Sequence, residues 1–205
     1  MVLFLLRQQA LAVVVVVVVV MVVVVTTAPP PPQDTTGSPT PSFLMGSPCP
    51  DVTPSQDFDA PAFGGTWHKF GGLPNEQEIT KNCTIYNYKY TGSGFDVTES
   101  GIDGAGQRVN QTNSFQQVTP GIADFVTRVE GLEAHLQVLK TDYTSMACLY
   151  TCHTVRETHR VHLAWILSRG KDLDRKKIAE CQVLLKNAKV PLIQLEKISH
   201  GEECL

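Results

Sequence analysis

Between residues 133 and 169 apolar side chains recur at every second position: Leu136 and Val138 flank Gln137, and Val161, Leu163 and Trp165 alternate with His162 and Ala164. A two-residue period puts those side chains on one face of an extended chain, the pattern of strands buried on one side. Residues 140–145, an Asp among polar neighbours, suit a tight reversal. The stretch therefore predicts a hairpin over 133–154 and a third antiparallel strand over 158–169. Cys148 and Cys152 leave the same strand face, but four strand residues span about 13 Å and a disulfide needs Cα atoms within about 7 Å. Each must pair elsewhere.

Upstream, residues 63–70 predict a first strand behind Gly64 and Gly65, and 73–81 a loop. Residues 82–90 read NCTIYNYKY, with Tyr86, Tyr88 and Tyr90 on one face and Ile85, Asn87 and Lys89 on the other. A turn at Gly92–Gly94 leads into a strand at 95–98, and a second turn at Gly101–Gly106 into one at 108–118. After Pro120 and Gly121 break the pattern, 122–130 resumes it with Phe125, Thr127 and Val129 on one face. The sum is an all-β chain of about eight short strands, which suits an antiparallel up-and-down barrel closed on itself to remove exposed edges. Beyond Arg169 the period becomes helical. Ile178, Cys181 and Leu185 form its apolar stripe, Asp172 or Asp174 its N-cap, and Pro191 lies past its end, so one helix of about fourteen residues should pack outside the barrel. Residues 192–198 alternate again as a last short strand, and Cys204 ties down the tail.

Composition changes the picture mainly at the N-terminus. Arg7 precedes an apolar, mostly Val run from Ala10 to Val25, then Thr26, Thr27, Ala28 and four prolines, so residues 1–27 read as a secretory signal. An uncleaved membrane anchor is the alternative, because Pro29 hinders cutting after Ala28. Residues 28–48, rich in Pro, Thr, Ser and Gly, have little to bury and read as an extended, disordered lead. A barrel domain follows over 49–205. With 205 residues and 42% hydrophobic content the chain can bury one core, and a net charge of −3 with no basic cluster gives no sign of a nucleic-acid partner. Six cysteines, at 49, 83, 148, 152, 181 and 204, lack zinc spacing and in an exported chain read as three disulfides. Asn82 and Asn110 each open an acceptor sequon for glycosylation.

Three short motifs in register, together with this cysteine frame, resemble the lipocalins. They are Gly65-Thr66-Trp67 after Cys49-Pro50, Thr141-Asp142-Tyr143 between two strands, and Arg169 closing AWILSR. Asp57-Phe58-Asp59, Leu73-Pro74, Cys83, LYTC at 149–152 and Cys204 are most similar to the apolipoprotein D, insecticyanin and crustacyanin branch. The resemblance covers 49–204. It implies an eight-stranded calyx in which Trp67 crosses the closed end and Arg169 lies over its ring, a contact worth about 0.5–2 kcal/mol. It also implies bridges Cys49–Cys152 and Cys83–Cys204, and with them Cys148–Cys181, so that one strand cysteine faces the N-terminal segment and the other the helix.

Such a barrel has room for one small ligand in a mostly apolar hollow. Candidates for its wall are Tyr86, Tyr88, Tyr90, Phe95, Val97, Phe125, Leu136, Val138, Val161, Leu163 and Trp165, about half of which should line the pocket while the rest pack the closed end. Where relatives commonly carry Trp-Tyr-Glu, this chain has Trp67-His68-Lys69. Lys69 shares the Trp67 face by parity, and pointing inward it would favour an acidic guest. All six cysteines have plausible partners, which leaves no thiolate nucleophile. The histidines at 68, 135, 153, 159, 162 and 200 form no spaced metal set, and His159 and His162 read as solvent-facing strand residues. The expectation is therefore not an enzyme, with no cofactor and no metal. Instead it is a secreted, extracellular carrier, monomeric or weakly self-associating, of a sterol, fatty acid, retinoid, carotenoid or bilin. The alternative is a membrane-tethered or surface module acting through its loops.

Overall fold

In a computed structural model residues 44–46, 48–75, 78–129, 132–155 and 159–204 are described. The expected signal segment and residues 28–43 of the lead lie outside them. Among the described residues ten strands follow in chain order: β1 (Leu44–Gly46), β2 (Gly65–Gly72), β3 (Asn82–Tyr90), β4 (Gly94–Ile102), β5 (Arg108–Gln117), β6 (Asp124–Val129), β7 (Leu132–Thr141), β8 (Met146–Val155), β9 (His159–Ser168) and β10 (Glu196–Lys197). Strands β2 to β9 pair antiparallel in sequence order, and β9 pairs back with β2, which closes an eight-stranded up-and-down barrel. A Lys69/Gly71 bulge bends β2, so its first half pairs with β3 while Gly71 and Gly72 accept β10. Between β2 and β3, at the open end, the described residues 73–75 and 78–81 are loop.

Three elements differ from the pattern reading. Leu44–Gly46, inside the lead expected to be unstructured, pairs with Val161–His159 of β9, so strand structure begins ahead of Cys49. Phe63 does not start a strand but ends a helical turn, α1 (Ala60–Phe63). There Asp59 accepts from the Ala62 N–H at 3.0 Å, and Pro61, whose fixed φ suits a first turn, needs no donor. Residues 192–198 are not one strand. Pro191 accepts from the Gln194 N–H, giving a 3₁₀ turn before the short β10.

Two apolar clusters hold the barrel. Inside, Phe58, Phe63, Trp67, Phe95, Phe125 and Val138 fill the closed end, with Phe63 stacked on Trp67 at 5.1 Å and Phe95 tilted against Phe125 at 5.2 Å. Outside, α2 (Arg175–Asn187) lays Cys181 and Leu185, both fully buried, on Met146, Cys148, Tyr150, Ala164 and Ile166 of β8 and β9. Asp174 caps α2 by accepting from the Lys176 N–H at 2.8 Å. At the other end Lys189, at φ 60°, turns the chain so that the Val190 N–H reaches the Leu185 carbonyl. The disulfides join Cys49 to Cys152, Cys83 to Cys204 and Cys148 to Cys181.

Asp142 organises the β7–β8 turn, accepting from the N–H groups of Thr144, Ser145 and Met146 and from Lys177 of α2. Burial pushes its carboxyl up, but the Lys177 and Ser145 hydrogen bonds outweigh that and hold it well below the usual carboxylate range.

Candidate ligand cavity

Above the closed-end aromatics the barrel keeps a cavity of about 180 Å³. It survives because the inward positions at mid-height are small or polar: Asn113 on β5, Thr127 on β6, Ala134 on β7 and Thr151 on β8. Strand register places the inward side chains of neighbouring strands side by side. Thr151 lies opposite Leu163, Trp165 opposite Leu149, and Val97 opposite Tyr88.

The candidate wall residues divide by height. Tyr86, Tyr88, Val97, Leu136, Leu163 and Trp165 border the cavity. Phe95, Phe125 and Val138 do not: they are nearly fully buried in the closed-end cluster. Tyr90 is at the rim of that end, 38% exposed, its hydroxyl donating to the Gly92 carbonyl at 2.8 Å. Val161 is half-buried between β1 and β8 and does not border the cavity. Among the residues missed, Leu149 and Thr151 could have been found by parity, because Cys148 on the same strand faces outward. Glu99 likewise continues the Phe95 and Val97 face. Glu78, on the open-end loop, has no periodic signal.

Glu78 is the polar centre of this cavity. Its carboxylate is buried and accepts from Lys69 Nζ at 2.5 Å, the Tyr86 hydroxyl at 2.6 Å and Trp165 Nε1 at 2.7 Å. Lys69 does point inward, 3% exposed, but its charge is held by Glu78 and is not free for an acidic guest. Opposite Tyr86 in the ladder, Glu99 takes the Thr80 N–H at 3.1 Å and the Thr80 hydroxyl at 2.5 Å on one oxygen. Burial pushes the Glu99 carboxyl up, and the charge of Glu78 adds to that. The Tyr86 and Tyr88 hydroxyls are likewise pushed up by burial, so both are neutral donors at any physiological pH. His135 borders the cavity and contacts Asp124 at 3.0 Å and Glu133 at 3.6 Å.

The motif residues surround the opposite end. The Arg169 guanidinium lies 3.7 Å above the Trp67 ring, and the indole N–H donates to the Phe63 carbonyl at 2.9 Å. Gly65, at φ 91°, holds a left-handed backbone conformation that a residue with a side chain rarely adopts. Tyr143, also left-handed at φ 64°, accepts from the Asp59 N–H at 3.1 Å. The sequence profile of the Lipocalin / cytosolic fatty-acid binding protein family matches residues 65–202. The chain belongs to the lipocalin family.

Within that family it is similar to Insecticyanin-B of Manduca sexta, 36% identical over 143 residues, which are 62% of this chain and 65% of that protein. The match thus spans just under two thirds of that relative's length. It is also similar to the Crustacyanin-A1 subunit of Homarus gammarus, 24% identical over 174 residues, 80% of this chain and 94% of that one. Among solved structures, lobster apocrustacyanin A1 superposes with a TM-score of 0.68 at 22% identity, over 79% of this chain and 93% of the other. Insecticyanin from the tobacco hornworm superposes with 0.64 at 28% identity, over 79% and 91%.

His162 corrects the surface reading of the histidines. It is fully buried on the outer face of β9, its ring 6.3 Å from that of Tyr150, and neither ring nitrogen has a hydrogen-bond partner among the described residues. The α2 side of the barrel and the segment around Cys49 and Val52 cover a face that alternation alone assigned to solvent. The side chain of His159 lies outside the described residues. All six cysteines are in disulfides, which leaves no thiol for nucleophilic chemistry.

Proposed function

We propose that this lipocalin is a secreted carrier that takes one small hydrophobic molecule, without covalent chemistry, into the hollow above Tyr88. The observation that carries this reading is a cavity walled by Val97, Phe115, Leu136, Leu149, Leu163 and Leu167, with a few polar groups gathered around Glu78. An apolar wall supplies affinity by removing hydrocarbon from water, and a small polar cluster fixes orientation. At about 180 Å³ the space slightly exceeds the roughly 150 Å³ that holds benzene. It therefore suits one ring or a short chain, and a longer guest would extend through the mouth. Secretion rests on the Val-rich signal at 1–27 and three disulfides, and exposed Asn82 and Asn110 would carry the glycans.

A series of alkan-1-ols from pentanol to nonanol, titrated calorimetrically, tests the carrier reading. Each added methylene inside the cavity contributes about 0.8 kcal/mol, roughly a fourfold gain in affinity, until the hollow is full. Affinity that ignores chain length would contradict it. Amino-terminal sequencing of the exported protein checks the rest, a start near residue 28 marking cleavage and a retained Met1 marking a tether.

A further inference from the structure

We propose that the calyx selects its guest by charge: the polar end of the hollow is an acceptor centre built from Glu78 and Glu99, which takes a hydroxyl- or amine-ended amphiphile and rejects a carboxylate-ended one. The inference rests on the carrier reading and adds the chemical class of the guest.

The argument begins with Lys69, the cation that would otherwise attract an acidic head. Its Nζ is 2.5 Å from Glu78 Oε2, and both side chains are almost wholly buried, so that charge is neutralised within the wall. Glu78 Oε1 accepts from Tyr86 and Trp165, and these donors turn towards the protein's own carboxylate instead of the guest. Glu99 adds a second acid to the same wall. Its Oε1 is bound to Thr80, and its other oxygen takes no hydrogen bond from the described residues. Two carboxylates thus face one lysine. The basic group bordering the cavity, His135, already has Asp124 and Glu133 beside it. A carboxylate head entering this space would lose its hydration and meet like charge with no uncommitted cation in the described wall. A hydroxyl or ammonium would instead donate to Glu99, and its tail would cover Leu136, Leu149 and Leu163.

Three guests of one chain length decide the matter: decan-1-ol, decylamine and decanoate, titrated calorimetrically at pH 8 into the folded, disulfide-intact protein. The alcohol and the amine should each bind at least tenfold more tightly than decanoate. Glu99→Gln should narrow the amine-to-decanoate ratio at least threefold. Glu78→Gln, which releases Lys69, should raise decanoate affinity relative to decan-1-ol. Decanoate binding as tightly as the alcohol in the unmodified protein would overturn the charge selection and leave the carrier reading intact. Binding of none of the three would overturn both.

Discussion

The Arg169 guanidinium does more than cover the Trp67 ring. It donates to the carbonyls of Tyr143, Thr66, Phe63 and Gly64 at 2.9–3.2 Å, gathering the α1 turn, the start of β2 and the β7–β8 turn onto one planar fork. Removing it leaves those acceptors without their donor. Arg169→Ala should cost about 3–5 kcal/mol by urea denaturation, and Arg169→Lys should recover only part of that, since an ammonium cannot span the same acceptors. His162 makes a different prediction. Burial, helped by Arg160, pushes its pKa down to about 4. The unfolded chain takes that proton near the ordinary value of about 6.5, so acid favours unfolding between the two. On the order of 3 kcal/mol should be lost as pH falls from 7 to 4, with the loss from this group levelling off below that. Urea midpoints at pH 7 and pH 4.5 should show a smaller drop in His162→Leu, and an equal drop would remove the argument. Residues of this kind are hard to read from a sequence. Parity put His162 on the outer face correctly, but what covers that face comes from chain distant in sequence.

Elements were legible where one physical period dominated. Strands β3, β7, β8 and β9 and helix α2 follow from alternation or from a 3.6-residue stripe with a cap. β5 shows the limit: its residues are mostly polar on both faces, and only Phe115 and Asn113 indicate which side meets the cavity. The α1 turn was hidden because Phe63 looks like a strand residue until Asp59 and Pro61 are read as cap and first turn. The link between helix and barrel gives an element-scale test. Cys148 and Cys181 are separated by 33 residues, and closing that loop contributes about 3–4 kcal/mol in the chain-entropy account. The double variant Cys148→Ala/Cys181→Ala should lose that much by urea denaturation. It should also exchange α2 amide protons faster than β3 amide protons, because only non-covalent contacts, Leu185 and Ile178 among them with the Lys177–Asp142 pair, would then hold the helix to the barrel. Unchanged α2 exchange would show that the bridge is not what fastens it.

At the scale of the molecule, closure through β9 and β2 turns eight short strands into a cup whose lower part is solid and whose upper part is hollow. Alternation predicts which side chains face inward, but height along the axis depends on register. That is why Phe95, Phe125 and Val138 belong to the floor while Val97, Leu136 and Leu163 belong to the wall. Glu78 was illegible for another reason, since it enters the hollow from a loop. The two tryptophans of the chain sit on either side of this division, Trp67 sealed in the floor and Trp165 half-buried at the hollow. Titration with 2-bromooctan-1-ol, whose bromine sits beside the hydroxyl and quenches an indole only on contact, measures directly whether the hollow takes a guest at the Glu78 end, where the Trp165 indole lies. Quenching should be saturable at one molecule per chain and absent from Trp165→Phe, in which only the emission of Trp67 remains. Quenching that never saturates, or that persists unchanged in Trp165→Phe, would contradict a guest seated above the barrel floor.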